Sequence, residues 1–267
     1  MELSLILASL ALGGAVGFAA GLLGIGGGLL VVPVLTFLFT VKGVPRELVL
    51  HMAIATSLST IMFTSISSVL AHHRRGAVSW QIVKVLVPGL LIGSWTGPWI
   101  GKQLNSTVLA LFFAAFVVSS GIRMLQHRKP PASRELPEPL GMFVAGGVIG
   151  LLAGLVGAGG GFISVPFMTW CNVKIHDAVA TSAALGFPIA LAGTVSNVYY
   201  GMNTPGLPPG SIGFIHVPTL LVVSLASVMT APLGAGTAHR LQVETLRRVF
   251  AFTLFGLAGY MLFKAFR

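Results

Sequence analysis

The chain has 267 residues, of which 55% are hydrophobic and only 8% are charged, with a net charge of +10. Soluble domains carry about 25% charged residues and disordered chains are polar, so the composition excludes a soluble globular enzyme and a disordered chain. In so apolar a chain, excess Lys and Arg indicate the cytoplasmic loops of a membrane protein rather than nucleic-acid binding. We therefore expect an all-α polytopic membrane protein.

Runs without acidic or basic residues mark the predicted membrane segments of a first half, residues 1–125. A long opening covers residues 3–41 and contains a cluster of glycines. Three further spans are predicted, interrupted only by Lys84, at residues 48–71, 76–101 and 103–122.

A Pro-rich, charged segment, residues 126–139, is predicted to be a cytoplasmic linker. It precedes a second half, residues 140–267, with an opening at 140–173. Because a full span needs about 20 residues, this Gly-broken opening barely holds two, and we expect at least one half-helix or re-entrant segment. Three spans follow, at residues 178 to about 200, about 212 to 238 and about 249 to 263, giving 8–10 membrane segments in total.

The two halves repeat in sequence. GLLGIGGGLLVVPVL (21–35) matches GLVGAGGGFISVPFM (154–168) at 8 of 15 positions, and HMAIATS (51–57) matches HDAVATS (176–182) at 5 of 7. Two blocks that match in the same order indicate a duplication.

Basic loops change sides between the halves. HHRR (72–75) separates two spans of the first half, whereas the corresponding loop, 201–211, has no charge. The next loop behaves oppositely, with one Lys in KQLNST (102–107) and three Arg in HRLQVETLRR (239–248). We therefore predict inverted repeats with 11 of the 16 basic residues in the cytoplasm and both termini in the periplasm.

Inverted repeats with broken helices are typical of secondary transporters, in which half-helix N-termini face an anionic group near the midplane. Glycine backbone approaches a ligand closely, and amides at a helix start carry partial positive charge. The alternative is close helix packing by small residues. The predicted substrate-binding glycines are Gly24, Gly26, Gly27 and Gly28 in the first cluster and Gly157, Gly159, Gly160 and Gly161 in the second; the predicted helix-breaking residues are Pro33 and Pro166.

Hydroxyl groups recur at matched positions after the clusters, in Thr56-Ser57 and Thr181-Ser182. They are predicted to donate hydrogen bonds to the anion, with Asn197 as a further donor. The alternative is that these side chains bond the backbone of their own helices.

No Asp or Glu lies inside a predicted span, which disfavours a carboxylate proton relay and a cation channel. An anion leaving a negative-inside cell gains about 2.3 kcal/mol per charge per 100 mV, so export could run as uniport. His51 and His176 begin matched spans and are interpreted as caps or interfacial residues, with proton coupling as the alternative.

The paired G-x-GGG-x4-P and H-x-A-x-A-T-S motifs resemble those of the TauE/SafE family of sulfite and organosulfonate exporters. The resemblance covers essentially the whole chain. It implies transport of sulfur-containing anions such as sulfite, thiosulfate or sulfoacetate across the bacterial inner membrane. We expect no cofactor and no metal. The segment between proline and histidine is eight residues longer in the first half, so strict pseudo-symmetry is not expected.

The nearest alternative function is a passive anion channel. A membrane-embedded enzyme would need an acid/base pair, nucleophile or metal cluster in the spans, and the candidates His51, His176 and His216 are too scattered in sequence. A scaffold would leave the duplicated glycine clusters unexplained. We therefore expect a transporter, not an enzyme, whose partners are a small anion and the bilayer.

Overall fold

The computed structural model is almost entirely α-helical. It describes residues 9–11, 13–18, 28–74, 76–125, 135–238, 248, 251–252, 255–256, 258–260 and 262–263. The helices with described bounds are α1 (Gly28–Val41), α2 (Arg46–His73), α3 (Trp80–Gln103), α4 (Ser106–Leu125), α5 (Pro139–Val156), α6 (Gly161–Trp170), α7 (Ile175–Gly201) and α8 (Val217–Ala238). Residues 9–11 and 13–18 are also helical.

Most predicted spans correspond to these helices. The three later spans of the first half fold as α2, α3 and α4, and the span predicted from residue 178 folds as α7. Much of the last predicted span, 249–263, and most of the linker, residues 126–134, lie outside the described residues.

The second opening is broken at its glycine cluster, as predicted. Helix α5 ends at Val156, where Gly157 adopts φ 74° and the Ala158 amide bonds back to the Ala153 carbonyl at 3.1 Å, which is a Schellman-type end. Gly160, also at φ 74°, precedes α6. Only glycine adopts this conformation without strain, so these two positions fix the break.

The length of α6 makes it a half-helix. Its 10 residues extend about 15 Å, roughly half of the 30 Å hydrocarbon core of a bilayer. Among the described residues, three helical stretches are long and apolar enough to cross a membrane, namely Arg46–Leu70, Pro139–Val156 and His176–Gly201. Shorter apolar helices, α1 among them, accompany them. The chain is therefore an all-α membrane protein.

Helices α2 and α7, which begin with the two matching histidine blocks, pack against each other in opposite directions. Ser59 and Thr194 are joined by a 3.3 Å hydrogen bond, and further along α2, Ser65 faces Gly186, which lies earlier in α7. An antiparallel course of equivalent helices is what inverted repeats require.

Two sequence expectations need correction. The segment before α8 forms a hairpin of strands β1 (Ser211–Ile212) and β2 (Ile215–His216), so the span predicted from about residue 212 begins at Val217. Gly213 permits the tight reversal, with φ 56°. Pro33 and Pro166 lie inside α1 and α6, and they do not break them. Each occupies the sixth position, where a missing amide costs one hydrogen bond near the helix start.

Helices α3 and α5 make the most extensive contact between described helices. Glycines in both helices allow this close approach. Glycines recur every fourth residue in α3, from Gly89 to Gly101, and in α5, from Gly146 to Gly154. A Cβ on Gly93 would collide with the Gly147 carbonyl, and one on Gly150 with the Leu90 carbonyl. The two backbones therefore touch directly, as in small-residue packing between membrane helices.

A similar contact joins the first opening to α8. Ser227 donates a hydrogen bond of 2.9 Å to the Gly13 carbonyl, and Ser94 of α3 donates one of 3.2 Å to the Gly150 carbonyl of α5. In both places a serine of one half donates a hydrogen bond to a glycine carbonyl in the opening of the other. The halves are interlocked through their opening helices.

We expect Gly150→Ala to destabilise the protein by about 1–3 kcal/mol, because the new methyl group would overlap backbone atoms of α3 that cannot yield. Gly147→Ala is the matched control, since its methyl would meet only the Gly89 carbonyl oxygen, at 3.9 Å. Thermal unfolding of both purified variants in one detergent measures the difference. Equal midpoints would contradict backbone-to-backbone packing.

Candidate functional site

Gly28, the described residue of the first glycine cluster, meets the second cluster in the protein interior. A Cβ on Gly28, the first residue of α1, would lie 2.9 Å from both the Gly157 carbonyl oxygen and Ala158 Cα. Gly157 is in turn covered by Val32 of α1 and Ile54 of α2. The starts of α1 and α6 are thus brought together beside α2. The predicted site residues Gly24, Gly26 and Gly27 lie outside the described residues.

Four successive amides at the start of α6 have no protein acceptor among the described residues: those of Gly159, Gly160, Gly161 and Phe162. The three glycines are buried and Phe162 is half-buried. The first hydrogen bonds of the helix are donated by Ile163 and Ser164 to the Gly160 carbonyl, at 3.0 and 2.9 Å. Buried amides are nearly always paired, so this group is suited to an acceptor that the protein itself does not supply.

Hydroxyl groups line the same region. Ser57 is fully buried and donates a 2.8 Å hydrogen bond to the Gly157 carbonyl. Because α5 ends here, this carbonyl has no amide partner within the helix. On the other side, Ser182 of α7 and Ser164 of α6 are buried and share a 2.7 Å hydrogen bond. Because only one of these two hydroxyls donates in that bond, the other keeps a proton for a further acceptor.

Ser164 is absent from the predicted site. It stands in the second glycine block where the first has Val31, so a search for duplicated residues does not find it. Its position one turn after Gly160 is the signal that could have done so.

Thr56 and Thr181, both fully buried, make equivalent contacts at different places. Thr56 Oγ1 accepts a 3.2 Å hydrogen bond from the amide of His216, the residue before α8. Thr181 Oγ1 accepts a 3.0 Å hydrogen bond from the amide of Ser79, the residue before α3. Each threonine thereby pairs an amide at the start of a helix in the other half.

The structure separates the remaining predicted residues from the glycine clusters. Asn197 donates to the Gly193 carbonyl of its own helix, at 2.8 Å. The ring nitrogens of His51 lie 3.0 Å and 3.1 Å from the carbonyls of Glu47 and Gly101. His176 is exposed at the start of α7.

The meeting point of the clusters is therefore rich in donors and poor in negative charge. Two helix N-termini converge there, each equivalent to about half a positive charge, with unpaired amides and buried hydroxyls beside them. Low local polarity strengthens every such interaction. The geometry suits a small anion with several oxygen acceptors.

Known proteins resemble this chain along nearly its whole length. The family model described as sulfite exporter TauE/SafE matches residues 9–261. The chain belongs to the TauE/SafE family. No solved structure matches it.

Relatives of this TauE/SafE protein carry transporter names. A probable membrane transporter protein of Haemophilus influenzae is 36% identical over 97% of this chain and 98% of its own. Another, of Methanocaldococcus jannaschii, is 28% identical over 91% and 90% of the two chains, and YunE of Bacillus subtilis, also a probable membrane transporter protein, is 28% identical over 93% and 94%. The chain is a membrane transporter and not an enzyme.

We expect Thr56→Val to lower the free energy of unfolding by about 1–3 kcal/mol, because valine keeps the shape but leaves the buried His216 amide without its acceptor. Thr181→Val should have a smaller effect, because the Ser79 amide is only half-buried and water can pair with it. Thr56→Ser and Thr181→Ser restore the oxygen and are the matched controls. Chemical denaturation of the four variants tests this expectation. It would be contradicted if serine and valine had the same effect.

Proposed function

We propose that this protein moves small sulfur-containing anions, such as sulfite, thiosulfate or organosulfonates like sulfoacetate, out of the bacterial cell across the inner membrane. The observation that carries the proposal is the group of four unpaired amides at the start of α6, in contact with the start of α1. We assign the charged headgroup of the substrate to these amides.

A sulfur oxyanion fits this donor set chemically. Its negative oxygens are acceptors only, and the amides of Gly159, Gly160, Gly161 and Phe162 supply donors only. The spare hydroxyl proton of the Ser164–Ser182 pair offers a further donor close to the start of α6. The family description, sulfite exporter, supports the same class of substrate.

The location of the site supports transport by alternating access. Broken helices that meet between inverted halves form the central site of many secondary transporters, and the halves move around it. Here the start of α1 from the first half meets the α5–α6 break of the second, between the antiparallel α2 and α7. We propose two states, in which the same amides at the start of α6 are open to the cytoplasm in one state and to the periplasm in the other.

The grouping of loops supports the proposed topology, with both termini in the periplasm. At one end of the bundle, Lys102 in the last turn of α3 donates to the Tyr200 carbonyl of α7 at 2.8 Å, and Ser106 of α4 donates to the Glu47 carbonyl of α2 at 2.9 Å. At the opposite end, Thr181 near the start of α7 binds Ser79, which follows α2. We assign the second end to the cytoplasm, since it carries the HHRR loop.

Gly159→Ala is expected to reduce the transport rate at least tenfold while leaving the unfolding temperature unchanged. Its methyl group would meet only Ile61 at 3.4 Å, an ordinary contact, yet would occupy space in front of the unpaired amides. Gly147→Ala, on the α3–α5 interface, is the control and should transport normally.

The transport rates of Gly159→Ala and Gly147→Ala are measured as uptake of radiolabelled sulfite into proteoliposomes, with a counterflow experiment beside it. A saturable flux with counterflow identifies a carrier and excludes a channel. Wild-type transport by Gly159→Ala would contradict the amide site.

Transport should follow membrane potential rather than a pH gradient, because no acidic residue lies within the described helices beyond their first turns. At 100 mV, about 2.3 kcal/mol per charge supports an accumulation ratio of about fortyfold for a monoanion. Potassium gradients with valinomycin set the potential in proteoliposomes. Flux that ignored potential and followed pH would instead favour proton coupling through His51 or His176.

A further inference from the structure

We propose that the outer surface of α3 and α7 binds one phospholipid with an anionic headgroup, with an acyl chain in the groove between the helices and the phosphate at Lys102. The groove has a volume of about 440 Å³ and is lined by apolar side chains, among them Ile92, Trp95 and Val195. None of its lining residues belongs to the proposed substrate site, so this inference does not depend on the proposed substrate.

The groove is a fixed feature of the helix pair. Behind it, Ser196 of α7 donates a 2.7 Å hydrogen bond to the Trp95 carbonyl of α3. Ala192 lies between larger neighbours in the lining and is only 8% exposed, so it forms part of the floor. The hydroxyl of Thr96 is occupied by the Gly93 carbonyl of its own helix, at 2.9 Å. The lining therefore presents apolar surface without an unmet hydrogen bond, as an acyl chain requires.

Aromatic side chains stand at the end of the groove that lies nearest the helix ends. Trp95 contacts Tyr199 and Tyr200, with ring centroids 6.0 and 6.3 Å away. Tyr199 and Trp99 are 64% and 46% exposed. Exposed Trp and Tyr at helix ends mark the interface between hydrocarbon and headgroups, so the groove leads from the hydrocarbon to this interface.

Lys102 lies where a lipid phosphate would be. It follows Trp95 by seven residues, which places it on the same side of α3 about 10 Å further along. Its ammonium group donates to the Tyr200 carbonyl at 2.8 Å, which bridges α3 and α7 above the groove. No carboxylate among the described residues pairs with it, and two of its protons stay available for phosphate oxygens.

Quenching of tryptophan fluorescence by lipids with brominated chains tests the proposal on the purified full-length protein in detergent. Phosphatidylglycerol should quench saturably, at a concentration at least fivefold lower than phosphatidylcholine with the same chains. Trp95→Phe should reduce the amplitude of this saturable component, whereas Trp170→Phe, at the end of α6, should leave it unchanged. Trp99, at the same end of the groove, remains in Trp95→Phe and accounts for the residual quenching. Similar quenching by both lipids, or an unreduced amplitude in Trp95→Phe, would overturn the site.

Two further variants separate the chain site from the headgroup site. Lys102→Gln keeps a donor for Tyr200 but loses the charge, so it should abolish the preference for phosphatidylglycerol, and Lys102→Arg should retain it. Ala192→Phe fills the groove and should weaken the binding of both lipids at least fivefold. Leu225→Phe, on the exposed face of α8, should leave their binding unchanged. If Ala192→Phe instead converted a dimeric wild type to monomers, a second copy would occupy the groove and the lipid assignment would be wrong.

Discussion

A break in a membrane helix exposes backbone polar groups where no water can pair with them, and the protein around it must resolve that conflict. The α5–α6 break illustrates how. Ser57 from α2 pairs the Gly157 carbonyl, and the start of α1 covers the same turn from another side. The Gly157 carbonyl is thus paired within the protein, whereas the amides of Gly159 to Phe162 have no acceptor among the described residues. This asymmetry is the feature on which the proposed acceptor site rests.

The same constraint explains why the halves are interlocked. The amides of Ser79 and His216, just before α3 and α8, are each paired by a threonine from the other half, Thr181 and Thr56. In addition, α5 in the opening of the second half packs against α3 of the first half. Each half therefore supplies contacts to helices of the other, and we expect the two to fold together.

Much of this architecture could be predicted from the sequence, because charge-free runs and glycine clusters report directly on bilayer length and backbone conformation. The break before α6 is the best example. The roles of individual polar side chains could not, since Thr56 and Thr181 meet partners that only the tertiary structure supplies, namely the amides of His216 and Ser79. The glycine spacing of α3 and α5 can be seen in the sequence. Only the structure shows that the two helices are neighbours and that this spacing lets their backbones touch.

The contacts also divide the protein into stiff and adaptable surfaces. At α3–α5, backbone meets backbone, and any shift would cause overlap or lose dispersion contacts, so these helices move as one body. Around Gly28 and Gly160 the contacts are mixed, because the side-chain ends of Ile61 and Ile189 lie there beside the backbone of Gly157 and Ala158. The ends of Ile61 and Ile189 can change rotamer, whereas the backbone atoms at α3–α5 cannot. If the halves move relative to each other, we therefore expect these side chains to adapt while α3 and α5 stay together as a rigid pair.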